Sequence, residues 1–212
     1  MAVKADLHMH STFSDGVLQP EELVRECVGL GIQMMALTDH DTFDGSDRLR
    51  AQWSPIPVLP AVELSMRDTH GLHLLGYGMT EAQPLRARVK ELSALRLERA
   101  HEIVRRLEKL GMPLDWEDLL ARCNGSVGRP HIARAMVRAG YVATMQEGFT
   151  RHLSPGCPAY VSGERMNMQE ALALLRENGF VPVLAHPREL KLEDQLLVPL
   201  LEKWKEQGLM GL

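Results

Sequence analysis

Along the first third of the chain, short apolar runs alternate with stretches in which apolar residues recur every three or four positions. That alternation predicts strand–helix units and a parallel sheet or barrel. Residues 3–9, 32–38, 58–64 and 72–77 read as four strands. Between the first two, Pro20-Glu21-Glu22 opens a helix. Proline suits the first helical position, and acids suit the positive end of the dipole. Leu23, Cys27 and Leu30 give its apolar stripe, Gly31 follows its end, and 45–52 reads as a second, short helix.

Beyond residue 80 the pattern becomes helical. A long charged segment over 82–110 closes at Gly111 and Pro113, and shorter helical stretches follow near 115–122, 129–139 and 144–153. A loop around Ser154-Pro155-Gly156-Cys157-Pro158 leads to a helix at 168–178, a fifth strand at 180–185 and a helix near 193–207. Residues 208–212 look like a turn entering a sixth strand. The organisation expected is therefore a first part of a barrel at 1–79, a helical insertion at 80–165, and a later barrel part at 166–212.

Composition narrows the class without deciding the function. The chain has 212 residues, 45% hydrophobic and 25% charged, enough to bury a substantial core. Net charge is -4 and pI about 6.1, so no global basic field exists to hold nucleic acid. The three cysteines form no CxxC pair, which argues against a thiolate zinc module, and their odd number points to a reducing compartment. No basic stretch followed by an apolar one opens the chain, and no apolar run approaches ~20 residues. A cytoplasmic location, no membrane association and no stable protein partner are the expectations.

Candidate chemistry sits at strand ends. In Asp6-Leu7-His8-Met9-His10, the two histidines lie two apart, so in a strand they share a face. Asp15 follows in the next loop and can turn back toward them. Imidazoles and carboxylates are the donors that suit Zn, Mn or Fe. The second strand ends in Thr38-Asp39-His40-Asp41. His40 is the candidate ligand there, because Asp39 and Asp41 equally suit helix or turn caps. Glu63 ends the third strand, His73 lies in the fourth, and His186 follows the fifth. Such groups within apolar runs are costly unless paired or metal-bound. Five strands in succession offer His, Asp or Glu near the end where parallel α/β proteins build their sites.

The set DLHMHSTFSDG, ALTDHD, VELS, HLLGYG and LAHP resembles the PHP (polymerase and histidinol phosphatase) family, across essentially the whole chain. The resemblance implies an α/β fold, a distorted (β/α)7 barrel, with two or three divalent ions of Mn, Fe or Zn. By matching motifs it implies His8, His10, Asp15, His40, Glu63, His73 and His186 as ligands, with Glu63 the bridge between ions and Glu63 and His186 the catalytic pair. The segment Gly128-Arg129-Pro130-His131-Ile132-Ala133 resembles one found in members acting on nucleoside 3′,5′-bisphosphates and on 5′-phosphorylated short RNA ends. A helix opening there suits an anion, and Arg129 and His131 become candidate phosphate-binding residues. A solvated Arg129 and a helix-capping His131 are the alternative.

The family's last Asp-x-His motif does not occur before Leu212, so the barrel is expected to be incomplete at its C-terminal side. The function expected is a metal-dependent phosphoesterase hydrolysing nucleoside 3′,5′-bisphosphates to 5′-monophosphates, or acting on short RNA ends. A histidinol-phosphate-type phosphatase and a non-catalytic, metal-stabilised scaffold are the alternatives. Arg96, Arg99, Arg105 and Arg106 on the long helix read as a solvated face paired with Glu98, Glu102 and Glu108.

Overall fold

A computed structural model describes residues 3–52, 54–68, 71–78, 82–123 and 127–212. The expected start of the chain at Met1–Ala2 and the expected junction at 79/80 lie outside the described residues. Three parallel strands come first: β1 (Ala5–Met9), β2 (Met34–Leu37) and β3 (Val58–Leu59), in the order β1-β2-β3. Helices α1 (Pro20–Gly29) and α2 (Asp44–Ala51) pack on them around Val24, Cys27, Met35, Leu37 and Leu49.

The expected third strand is two. Pro60 has no backbone N–H to give to a ladder, and it separates β3 from β4 (Ala61–Ser65). A parallel bridge from His40 to Glu63 then joins the extension of β2 to β4. The next strand, β5 (His73–Tyr77), runs antiparallel to β4, and β6 (Val181–Leu184) antiparallel to β5. This corrects the all-parallel expectation. The short link from Met66 to Leu72 cannot hold the dozen or more residues of a crossover, so it closes as a hairpin. The described strands form two three-stranded sheets and not a closed (β/α)7 barrel. At the far edge Gly211 bridges Val183 in parallel, a single bridge where a sixth strand was expected.

Helix α3 (Gln83–Lys109) is the strut between two cores. Its Leu85, Val89 and Leu92 pack with β4, β5, β6, α7 (Met168–Glu177) and α8 (Asp194–Glu206). Its Ala100, Ile103 and Leu107 pack with α4 (Trp116–Ala121) and α5 (Arg129–Arg138), which lie before a short helix α6 (Met145–Gly148) and a π turn (Phe149–Leu153). The stripe 85, 89, 92, 96, 99, 103, 107 steps by three and four along one face. Its apolar members are buried, but the two positions between the cores are Arg96 and Arg99. No helix among the described residues is long and apolar enough to cross a membrane.

Candidate active site

Strand alternation sorts the site from the core. In β4, Val62 and Leu64 point into the hydrophobic cluster, while Glu63 and Ser65 line the opposite cavity. In β1, Met9 meets the Cys27 thiol at 3.6 Å, while His8 and His10 on its other face line the cavity. His40 arrives three residues past β2, where it bridges to Glu63. His73 opens β5, opposite Ser65. Because β5 runs antiparallel, its first residue lies beside the C-terminal ends of its neighbours. His186 follows β6 with φ 29°, an uncommon left-handed conformation for a non-glycine residue.

Four of the five histidines close on Glu63, whose side chain is 1% exposed. Its Oε2 accepts from His8 Nε2 at 3.0 Å and His10 Nε2 at 2.8 Å. Its Oε1 accepts from His73 Nδ1 at 3.0 Å and His186 Nε2 at 2.9 Å, and those two ring nitrogens are 3.2 Å apart. Asp15 comes within 3.4 Å of His10 Nδ1 and 3.8 Å of His40 Nε2. The structure thus brings together His8, His10, Asp15, His40, Glu63, His73 and His186.

The electrostatics follow the geometry. Burial works to raise the Glu63 pKa, but hydrogen bonds from His10, His186, His73 and His8 outweigh it and hold the carboxyl far below the usual range. Burial would lower His10, yet the Glu63 carboxylate raises it; His186 is raised mainly by the same carboxylate. Burial drives His40 well below its ordinary value, against the pull of Glu63.

The donor set fits a divalent cation. Three overlapping groups have ligand atoms within 4.8 Å of one another: His8, His10, Glu63; His10, Asp15, His40; and His40, Glu63, His73. Nδ1 of both His40 and His186 is buried without a hydrogen-bond partner. Their carboxylate neighbours, at 3.7 and 3.6 Å, are beyond hydrogen-bond reach. A nitrogen lone pair left so among carboxylates suits a metal.

The loop carrying His10 and Asp15 is latched by Asp39. Its carboxylate accepts from Ser11 N, Ser11 Oγ and Ser14 Oγ, each at 2.7 Å. Asp39 is therefore a positioning group rather than a donor to the cavity.

Arginines form the opposite wall. The cavity, about 340 Å³, is lined by the seven metal-type residues and by Arg96, Arg99, Arg129 and Arg165. Arg96 pairs with Asp41. The other three are held by backbone carbonyls: Arg99 by Val161 at 2.8 Å, Arg129 by Leu153 at 3.3 Å and Arg165 by Met66 at 3.3 Å. Burial and the charges of Arg129, Arg165 and Arg96 push Arg99 down to about 10. Arg96 and Arg99 thus overturn the expectation of a solvated face, while Arg105 and Arg106 pair with Glu102 on the surface as expected. Two arginines on an otherwise apolar helical stripe were the sequence signal for this wall.

Arg129 reaches the cavity, its guanidinium 5.8 Å from the Phe149 ring centre. His131 does not. It is 8% exposed, and its Nδ1 accepts from Gly128 N at 3.0 Å, capping its own helix. Burial lowers it to about 4.

Comparison with known proteins places this geometry. The family model described as PHP domain matches residues 6–94. A 5′-3′ exoribonuclease of Haemophilus influenzae is 34% identical, the match covering 98% of this chain and 77% of that protein. A 3′,5′-nucleoside bisphosphate phosphatase of Chromobacterium violaceum is 32% identical, covering 98% and 75%. The solved structure of an amidohydrolase from Chromobacterium violaceum, with bound sulfate and no metal, superposes with TM-score 0.87 at 32% identity, covering 98% of this chain and 75% of that one. The chain belongs to the PHP domain family.

Proposed function

We propose that this chain, an enzyme of the metal-dependent phosphoesterase class, acts on a nucleotide that carries a second phosphate. Its substrates are a nucleoside 3′,5′-bisphosphate, converted to the 5′-monophosphate, or the 5′-phosphorylated end of a short RNA. Both present a phosphorus on a 3′ oxygen and a non-reacting 5′-phosphate. The relatives' names, a nucleoside bisphosphate phosphatase and an exoribonuclease, support that class.

The observation that carries the reading is the pairing of two walls across one cavity. The His/Asp/Glu cluster faces Arg96, Arg99, Arg129 and Arg165. Only Arg96 of these four has a carboxylate partner among the described residues. Half-buried guanidinium groups held by backbone carbonyls keep forks free for phosphate oxygens. One phosphate would be neutralised by the metal side alone, so the second wall calls for a second anion.

Two or three ions of Mn, Fe or Zn suit the three overlapping donor groups; Glu63, shared by two of those groups, would help hold more than one ion, and His186, beside Glu63, would stand on the reacting side. Such ions supply Lewis-acid charge for the phosphoryl oxygens and acidify a water as nucleophile. Glu63, whose burial is outweighed by the hydrogen bonds of His10, His186, His73 and His8 that hold its carboxyl far below the usual range, fixes the surrounding imidazoles. Asp39 holds the Ser11–Ser14 turn, and so His10 and Asp15, in register. Arg129, Arg99 and Arg165 grip and orient the 5′-phosphate, placing the 3′-phosphoryl group at the cluster. In this reading residues 80–165 are an insertion that lends arginines to a metal site built by 1–79 and 166–212.

Phosphate release from 3′,5′-bisphosphoadenosine and from adenosine 3′-monophosphate, both with Mn²⁺, tests the two-wall reading. A charge-assisted hydrogen bond contributes about 1.5–3 kcal/mol, so kcat/KM should favour the bisphosphate by about tenfold or more. Equal kcat/KM on the two substrates contradicts it.

A further inference from the structure

We propose that a second, arginine-lined cavity behind the Asp15–Gly16 turn is the track for the phosphodiester backbone of a short single-stranded RNA, where the strand continues past the reacting phosphate. The proposal rests on the nucleotide reading of the active site.

The cavity measures about 400 Å³ and is lined by Arg122 at the end of α4, Arg134 and Arg138 on α5, and Thr12, Gly16 and Gln19 on the metal-site loop. It abuts the active site through shared walls. Asp15 faces the histidine cluster while Gly16 faces the second cavity. Gly128-Arg129-Pro130 borders the first and His131 the second. The dividing ridge is the contact of Arg134 Nη2 with the Asp15 carbonyl at 3.4 Å.

Charge marks this place out. In a chain of net charge -4, three guanidinium groups gather here. Among the described residues their ion-pair partner is a single carboxylate, Asp118, at 2.8 Å from Arg122 and 3.3 Å from Arg138. Arg134 and Arg138 stand one helical turn apart on the same face. A row of guanidinium forks beside an exit suits successive phosphates of a backbone, which are read without regard to sequence. Val17, 74% exposed at the same rim, gives a base an apolar surface.

The position matches the chemistry. When the 3′ ester of the first nucleotide is cleaved, the remaining RNA is attached through the reacting phosphorus. It must therefore leave from the metal side of the cavity, where Asp15 and Gly16 stand. A mononucleoside bisphosphate has nothing to place there.

The test is the double variant R122Q/R138Q, whose side chains lie outside the active-site cavity. We expect turnover of 3′,5′-bisphosphoadenosine within about twofold of the parent. The KM for a 5′-phosphorylated RNA pentamer should rise about tenfold. Pentamer binding, titrated in chelator, should lose salt dependence by about 0.7 in log–log slope per phosphate contact removed. An unchanged pentamer KM, or equal losses on both substrates, overturns the proposal. If the parent neither releases phosphate from the bisphosphate nor releases a 5′-mononucleotide from the pentamer, the nucleotide reading fails by itself; the chelator titration then decides the track, and equal pentamer binding by parent and variant overturns it. Should the double variant melt early, R122Q alone carries the same comparisons.

Discussion

Arg96, in the middle of the long helix α3, is held by Asp41, the residue after His40 in the segment that follows β2. One ion pair thus ties the arginine wall to the elements that carry the His/Asp/Glu cluster. The Asp41 carboxylate also accepts from Ser65 N at 2.8 Å and Ser65 Oγ at 2.9 Å, at the end of the strand that carries Glu63. Asp41 has φ 55°, a left-handed conformation that Asp and Asn tolerate better than most residues. Gly128 completes the clamp, since a Cβ there would stand 2.8 Å from Arg96 Nη2.

Asp41→Asn keeps the size and the tolerated backbone conformation but removes the charge. Arg96 should then wander. The KM for a nucleoside bisphosphate is expected to rise about tenfold, the scale of one charge-assisted hydrogen bond. Bound metal, measured by elemental analysis, should stay at the parent level. An unchanged KM would show that Asp41 does not position Arg96 for substrate.

The Asp39 latch is equally exposed to test. A Cβ on Gly45 would fall 2.3 Å from Asp39 Oδ2 and 2.9 Å from Ser11 Oγ. Gly45→Ala should therefore push the latch apart and displace the loop bearing His10 and Asp15. Destabilisation of about 1–3 kcal/mol is expected from overpacking, read by urea unfolding, together with weaker metal retention. Parent-like stability and metal content would contradict the latch.

His131 makes a prediction about acid. Its folded pKa, about 4, lies below the ordinary 6.5 because the ring is buried. The unfolded chain therefore takes up the proton first. The stability contributed by the neutral ring is complete above pH 6.5 and is lost as pH falls toward 4, up to about 3 kcal/mol. His131→Gln keeps an acceptor at the third helical position, where Gln serves a capping box, but does not titrate. Unfolding free energies from pH 7 to 4.5 should fall less steeply for this variant than for the parent. Parallel slopes would mean that His131 is not the group responsible.

Much of the site was legible because His, Asp and Glu at the ends of apolar strands are short, chemically distinctive motifs. His8, His10, Asp15, His40, Glu63, His73 and His186 converge as their positions suggested. The strand directions were less legible. Alternating apolar runs look alike in parallel and antiparallel sheets, and only the short 66–72 link distinguishes the β4–β5 hairpin. Pro60 inside the third run is the signal for its split, since a proline cannot donate to a ladder, but the apolar pattern runs through it as one strand. His131 looked like a phosphate ligand from its helix-opening segment, but a ring three residues past Gly128 reaches back to cap that helix instead. The arginine wall needed a longer view: Arg96 and Arg99 match their charged neighbours locally and stand out only against the buried stripe of α3.

The most direct measurement is Glu63→Gln, with bound Mn²⁺ and phosphate release from 3′,5′-bisphosphoadenosine determined on the same preparation. Gln matches the shape of Glu63 but cannot carry the charge that gathers His8, His10, His73 and His186. If Glu63 bridges the metal centre of a phosphoesterase, the variant stays folded, loses at least one equivalent of metal, and releases no phosphate above the chelated control. Full metal content with parent-level turnover would contradict it.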